Sequence, residues 1–354
     1  MVALILTSCL FFVLQQKSSL IGTNFASVLG LENFLNLEYT KIFILFEKFL
    51  IVAFPVLSVT VFEFLISNKP LNKRYLDTSL ARVSRSVGHK YADIWYFLIL
   101  IVMPKLPFLT VLITLGFSRL NNSLGTSIES IYIALIGDNI NRFDGLFVFS
   151  FVILLSDLAE YILHRFAHGV PIIWDCHEFH HSATEMTGAS NARNTPLQAV
   201  FTFPLVIPIK AFTGILLAGF IERGQFMPLL LWVLFEGFKR IMDQLAHSSS
   251  LMLLPKPISY VFMSPSLHWL HHSTNEKHFN SNFGICFTFW DRMFGTYLGE
   301  EHLKDIPSFG VKSTEYNKYH PLISFCFVPF MKIYRRAKKS YKKKNFLSLL
   351  SFSS

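Results

Sequence analysis

The feature that most limits the fold of this chain is a repeated alternation of long apolar runs with short polar breaks. In hydrocarbon every backbone N–H and C=O needs a partner inside the chain, so an apolar run of about 20 residues reads as a helix crossing a bilayer. Residues 42–66, 94–117 and 146–163 meet that length, and Pro104, Lys105 and Pro107 kink the second of them. Residues 199–220 and 227–246, separated only by IERGQ, read as a helical hairpin that enters the membrane and returns. Residues 2–14 are shorter than a standard span and form either a short first crossing or an interfacial helix. Composition agrees, with 52% hydrophobic and 16% charged residues, where a soluble chain has about a quarter charged. The expected fold is all-α: a multi-pass transmembrane helical bundle with a cytosolic helical cap.

The net charge of +9 is concentrated in residues 69–90 and in MKIYRRAKKSYKKK at 331–344. Neither stretch interleaves aromatics as a nucleic-acid surface does, so both are read as cytoplasmic segments touching anionic headgroups. Loop 68–90 carries Lys69, Lys73, Arg74, Arg82, Arg85 and Lys90 against Asp77. Loop 118–144 carries Arg119 and Arg142 against Glu129, Asp138 and Asp144. The first loop is therefore cytoplasmic and the second external, which puts residues 164–195, and everything from His247 to the basic tail, on the cytoplasmic side. Cys9, Cys176, Cys286 and Cys326 are scattered and form neither a disulfide framework nor a thiolate metal site.

The spacing of the histidines carries the chemistry. His164 and His168 are four apart at the end of an apolar run; His177, His180 and His181 form HxxHH, and His268, His271 and His272 repeat it. Positions i, i+3 and i+4 share a helix face, so each HxxHH is expected to present three imidazoles to one point. His247 adds a ninth nitrogen. Asp157 and Glu160 share the stripe of His164 and His168, and Asp243 stands four residues before His247. These three carboxylates are the candidate catalytic groups, suited to accept ring N–H groups and fix tautomers, with Asp243 alternatively a further ligand. His278 either binds metal or lines the site, whereas His89, His302 and His320 read as surface residues. Imidazole suits zinc, copper, nickel and iron. Nine donors exceed one closed tetrahedral site, so a binuclear centre fits better, and two iron ions are favoured because they can activate O2 against the C–H bonds of a lipid.

At these motifs the chain resembles the fatty acid hydroxylase/sterol desaturase superfamily of membrane di-iron enzymes. The resemblance runs through DLAEYILHRFAHGVPIIWDCHEFHHSA, QLAHSSSLMLLPKPISYVFMSPSLHWLHHS and NFGICFTFWDRMFGTY, in the family's order. It implies that His164, His168, His177, His180, His181, His247, His268, His271 and His272 hold the metal. It also implies that Asn282, Gly284, Trp290, Asp291, Phe294, Gly295 and Thr296 form a closing signature that packs the cap. Two positions depart from the pattern: His278, where relatives often carry an acid, and Asp243, where some acyl-chain hydroxylases carry a histidine. The chain then divides into N-terminal spans at 1–145, a catalytic region at 146–300 and a basic tail at 301–354. The implied activity is hydroxylation or desaturation of a sterol-like, alkylglycerol or acyl lipid. The tight HRFAH to HEFHH spacing is closer to sterol-type and alkylglycerol-type members. No HPGG, GxGxxG or CxxC motif supplies electrons, so an external ferredoxin, cytochrome or reductase is expected. The alternative, a membrane metal-binding or metal-transport protein, predicts ionisable residues through the depth of several spans, and here they gather at the inner ends.

Overall fold

A computed structural model describes residues 59–83, 93, 145–195, 197–198, 201–202, 209, 227–311, 315–343 and 345. The expected crossings at 2–14 and 94–117, most of 199–220, and all of 42–66 before residue 59 lie outside them. Among the described residues the fold is helical without a strand, and two isolated bridges, Phe262 to Phe287 and Ser273 to Phe309, are its only extended pairings.

Helix α1, Gly145–Gly169, is the one described helix long and apolar enough to cross a bilayer, with a mean hydropathy of 2.0. It has two faces: Leu146, Phe147, Phe151, Leu154, Ile162 and Phe166 point outward, while Val148, Val152, Asp157 and Tyr161 are buried. After Gly169 the chain turns through an extended Val170, and Pro171 opens helix α2, Pro171–His181. Proline costs nothing at a first helical position, where no N–H is needed. The break lets α2 pack back against the C-terminal end of α1.

Helix α3, Met227–Ala246, is the returning limb of the expected hairpin and lies against α1. Glu236, Lys239, Arg240 and Asp243 interrupt its apolar sequence. Lys239 is buried and bonds Glu160 at 2.9 Å and Glu236 at 2.8 Å, so one of these charges, Lys239, ties α3 to α1. The cap follows in short helices: α4, His268–His271; α5, Phe289–Met293; α6, Pro321–Cys326; and α7, Val328–Lys342.

Two apolar clusters hold the cap in place. Ile153 and Tyr161 of α1 meet Phe283, Cys286, Phe287 and Trp290, while Phe179 of α2 meets Tyr316, Phe325 and Val328. Each buried large side chain contributes about 1.5–3 kcal/mol. The first cluster also contains a polar contact, since Trp290 Nε1 donates to the buried Asp157 Oδ2 at 2.9 Å. Trp290→Phe keeps most of the ring area but strips that carboxylate of its donor, and should cost about 1–3 kcal/mol. Thermal unfolding in detergent checks this: the midpoint should fall for Trp290→Phe and recover when Asp157→Leu is added, and no loss in the single variant would refute the contact's importance.

Candidate metal centre

All nine histidines named from spacing come together in one cluster, His164 and His168 half-buried and the other seven buried, but they divide into two sets. His164, His168, His177, His181 and His271 form one set and His180, His247, His268 and His272 the other, with the ligand atoms of each set within 4.8 Å of one another. This corrects the expectation that each HxxHH converges on a single point. On a helix i and i+4 are about 40° apart, while i+3 falls about 60° to the other side. His177 and His181 therefore pair and His180 turns away; His268 and His272 pair and His271 turns away. Each set takes the i, i+4 pair of one motif and the i+3 residue of the other. The sets are adjacent, the rings of His181 and His272 stacking at 4.3 Å.

The donor atoms fit a bound ion. In the first set the Nε2 atoms of all five rings are buried without a hydrogen-bond partner. Buried polar atoms are nearly always paired, so five orphans around one point indicate a missing common partner. In the second set His247 Nε2 lies 3.2 Å from His180 Nε2, and His272 Nε2 lies 3.0 Å from His268 Nε2. Neighbouring imidazoles around one ion at about 2 Å are separated by roughly 3 Å. Among these groups no thiolate joins either set, and neither does Asp157, Glu160 or Asp243.

The opposite ring nitrogen decides which way each lone pair points. His164 Nδ1 is 2.9 Å from the Phe283 carbonyl, His271 Nδ1 2.8 Å from the Ser281 carbonyl, and His247 Nδ1 2.9 Å from the Asp243 carbonyl. Donation from Nδ1 to each carbonyl leaves Nε2 free to bind. His177 Nδ1 is 3.2 Å from the Gln198 amide. For His164, His271 and His247 the orienting groups are thus main-chain carbonyls, not the carboxylates expected from the sequence, while at His177 the Gln198 amide nitrogen donates to Nδ1. Asp157 bonds Trp290, Glu160 bonds Lys239, and the Asp243 carboxylate accepts from Asn191 at 2.8 Å.

The closing segment holds those carbonyls still. Asp291 accepts from the main-chain N–H groups of Phe283 and Gly284, both at 2.8 Å, and from the Thr296 hydroxyl at 2.7 Å. Burial nevertheless pushes its carboxyl up to about 6. Asn282, at a left-handed φ of 52°, bridges the Leu267 and Leu298 carbonyls. A side chain at Gly284 would meet the Phe287 carbonyl at 2.5 Å. The loop that presents the Phe283 carbonyl to His164 is therefore fixed from both sides.

Two contributors were not singled out from the sequence. Glu63, fully buried, accepts from the Ser79 N–H at 2.5 Å, the Ser248 hydroxyl at 2.7 Å and the Ser249 N–H at 2.8 Å, which pins the segment just after His247. An ionisable residue in an apolar run is the signal that marked Asp157, and it applied to Glu63 equally. Gln198, the partner of His177, carries no such signal. His278, read as ligand or lining, lies apart from the nine in a separate trio with His302 and Asp305.

Burial, followed by the neighbouring rings, holds His177, His180, His181, His268, His271 and His272 well below their ordinary value of 6.5, and burial lowers His247 as well. Depressed histidines favour the fold while the unfolded chain's histidines are also neutral. As pH falls below about 6.5 the unfolded chain takes up protons first, and stability is lost. The melting midpoint of metal-stripped protein should drop between about pH 7 and pH 5.5, and bound metal should be released over the same range because the ligands must be neutral. A flat midpoint across that window would contradict burial of the cluster.

Comparison with known proteins shows what this region is similar to. A model of the fatty acid hydroxylase family matches residues 149–296, which contain all nine histidines. The chain is 28% identical to an alkylglycerol monooxygenase of Caenorhabditis elegans over 178 residues, covering 49% of this chain and 32% of the relative. It is 25% identical to ornithine lipid hydroxylase OlsE of Rhizobium tropici, covering 41% of this chain and 40% of that protein. With methylsterol monooxygenase 1 of Danio rerio the identity is 28%, over 40% of this chain and 44% of the relative. The matches thus span less than half the length of these relatives, and no solved structure matches. Over residues 149–296, which carry its histidine motifs, the chain is thus similar to the fatty acid hydroxylase/sterol desaturase superfamily.

Proposed function

We propose that the protein is a membrane-bound, O2-dependent lipid monooxygenase whose two histidine sets each hold one iron ion. The observation that carries this reading is the partition of nine clustered imidazoles into five and four, with five buried Nε2 atoms lacking any other partner. Bound iron would supply activation of dioxygen for attack on an unreactive C–H bond. The relatives named above are monooxygenases or hydroxylases of alkylglycerol, ornithine lipid and methylsterol. They share a lipid substrate and oxygen insertion, which favours hydroxylation over desaturation here.

The chain's own residues supply orientation, dryness and access. The carbonyls of Phe283, Ser281 and Asp243 aim three rings, while the rings of Phe283 and Trp174 pack against His164 and His168 and keep water away. A cleft of only about 10 Å³, lined by Met242, Ala246, Met263, Pro265 and Ile285, reaches His268 of the four-histidine set, so a hydrocarbon chain entering there has to displace these side chains. Its lining is apolar apart from Asp243 and His268. Asp157 and Glu160 act on the site at one remove, through Trp290 and Lys239.

The rest of the architecture follows from this reading: spans at 1–145 and α1 in the bilayer, the catalytic region at 146–300 facing the cytoplasm, the tail at 301–354 on the same face, and electrons from a separate ferredoxin, cytochrome or reductase. Two measurements test it. Purified protein should carry two irons; His181→Ala should weaken one ion and His180→Ala the other, and each should abolish oxygen incorporation into cellular lipid under labelled dioxygen. A single bound zinc, or activity that survives either substitution, would sink the assignment. Ile285→Trp should narrow the cleft, raising KM for the lipid at least several-fold while leaving metal content unchanged. An unaltered KM would remove the cleft from the substrate path.

A further inference from the structure

The last helix has a face that the cap does not cover. Phe327, just before α7, and Phe330 and Tyr334 within it are 61%, 57% and 66% exposed, and Tyr341 at its end is exposed as well. At 100° per residue these positions and Lys338 lie within about 40° of one line along the helix. Leu322 and Ile323 of α6 add exposed apolar surface next to its start. A soluble surface seldom lines up large aromatics in this way.

The opposite side of α7 is bound to the histidine-bearing helix. Arg336 grips the Asp175 carboxylate through Nε at 2.5 Å and Nη2 at 2.7 Å, and Lys332 pairs with Glu178. Val328 is packed against the Phe179 cluster. Asp175 and Glu178 flank His177 in α2, so α7 stands between the metal-site helix and whatever meets its outer face.

Charge decides among the possible occupants. From Val328 to Lys343 the segment holds Lys332, Arg335, Arg336, Lys338, Lys339, Lys342 and Lys343 and no acidic residue. Lys332, Arg335 and Arg336 are taken by Glu178, Glu315 and Asp175, whereas Lys338, Lys339, Lys342 and Lys343 are exposed. A second copy docked face to face would oppose lysine to lysine. An anionic bilayer surface accepts both elements at once, aromatic rings at the level of the acyl boundary and ammonium groups among the phosphates.

We infer that α7 is an interfacial helix that docks on anionic membrane lipid through Phe327, Phe330 and Tyr334, with the exposed lysines at the headgroups, and so fixes α2 at the bilayer surface. This rests on the bilayer placement of the chain in the functional reading above, but not on its metal or its substrate. The full chain is reconstituted into nanodiscs of phosphatidylcholine, with or without phosphatidylglycerol, and amide hydrogen exchange is followed at 330–343. Exchange should slow by about tenfold in the anionic discs and speed up again in high salt. The Phe330→Ser/Tyr334→Ser variant, and separately replacement of the four exposed lysines by Gln, should abolish the difference while metal content stays unchanged. Equal exchange in both discs overturns the inference and leaves the functional reading intact. So does protection that tracks the number of chains per disc regardless of lipid charge, which would mark self-association. A chain that does not enter the discs at all overturns the bilayer placement and this inference together.

Discussion

Nine clustered imidazoles, seven of them buried, form the constraint that the rest of this structure serves. Each ring must give its Nδ1–H or its lone pair to something, and water is not there to take either. For three rings a main-chain carbonyl takes the proton, and in the five-histidine set every Nε2 is left aimed inward without a partner. A cluster of this kind is costly unless an ion completes it.

Support for the cluster is layered outward from the carbonyls. Asp291 and Asn282 hold the loop that carries the Phe283 carbonyl, Glu63 holds the segment after His247, and Asp157 holds Trp290 against α1. The buried carboxylates therefore act on the backbone and on packing rather than on the imidazoles. A main-chain carbonyl orients a ring without placing a net charge beside it.

A good part of this was legible in the sequence, for a local reason. The apolar run 146–163, the break at Gly169 to Pro171 and the two HxxHH motifs are all set by interactions within one or two helical turns. Eight members of the histidine cluster could be read from them and His247 from its place four residues after Asp243, whereas the packing role of Asn282, Gly284 and Asp291 was implied by the family resemblance. The misreadings concern partners. Asp157 and Glu160 share a stripe with His164 and His168, yet their side chains meet Trp290 and Lys239, residues that come from α5 and α3. Glu63 went unremarked because its donors lie 16 and about 185 residues further along.

The sequence by itself determined which side chains would carry the chemistry and that they would be presented by helices, since 3.6-residue periodicity and the bilayer's demand for internal hydrogen bonds act over short stretches of chain. Only the tertiary structure decided that the imidazoles separate into five and four, and that carbonyls rather than carboxylates set their tautomers. The i, i+4 pair and the i+3 residue of a motif point in different directions, and what each meets depends on a second motif about ninety residues away. That meeting is settled by how α1, α2, α3 and the cap pack, and no local pattern encodes it.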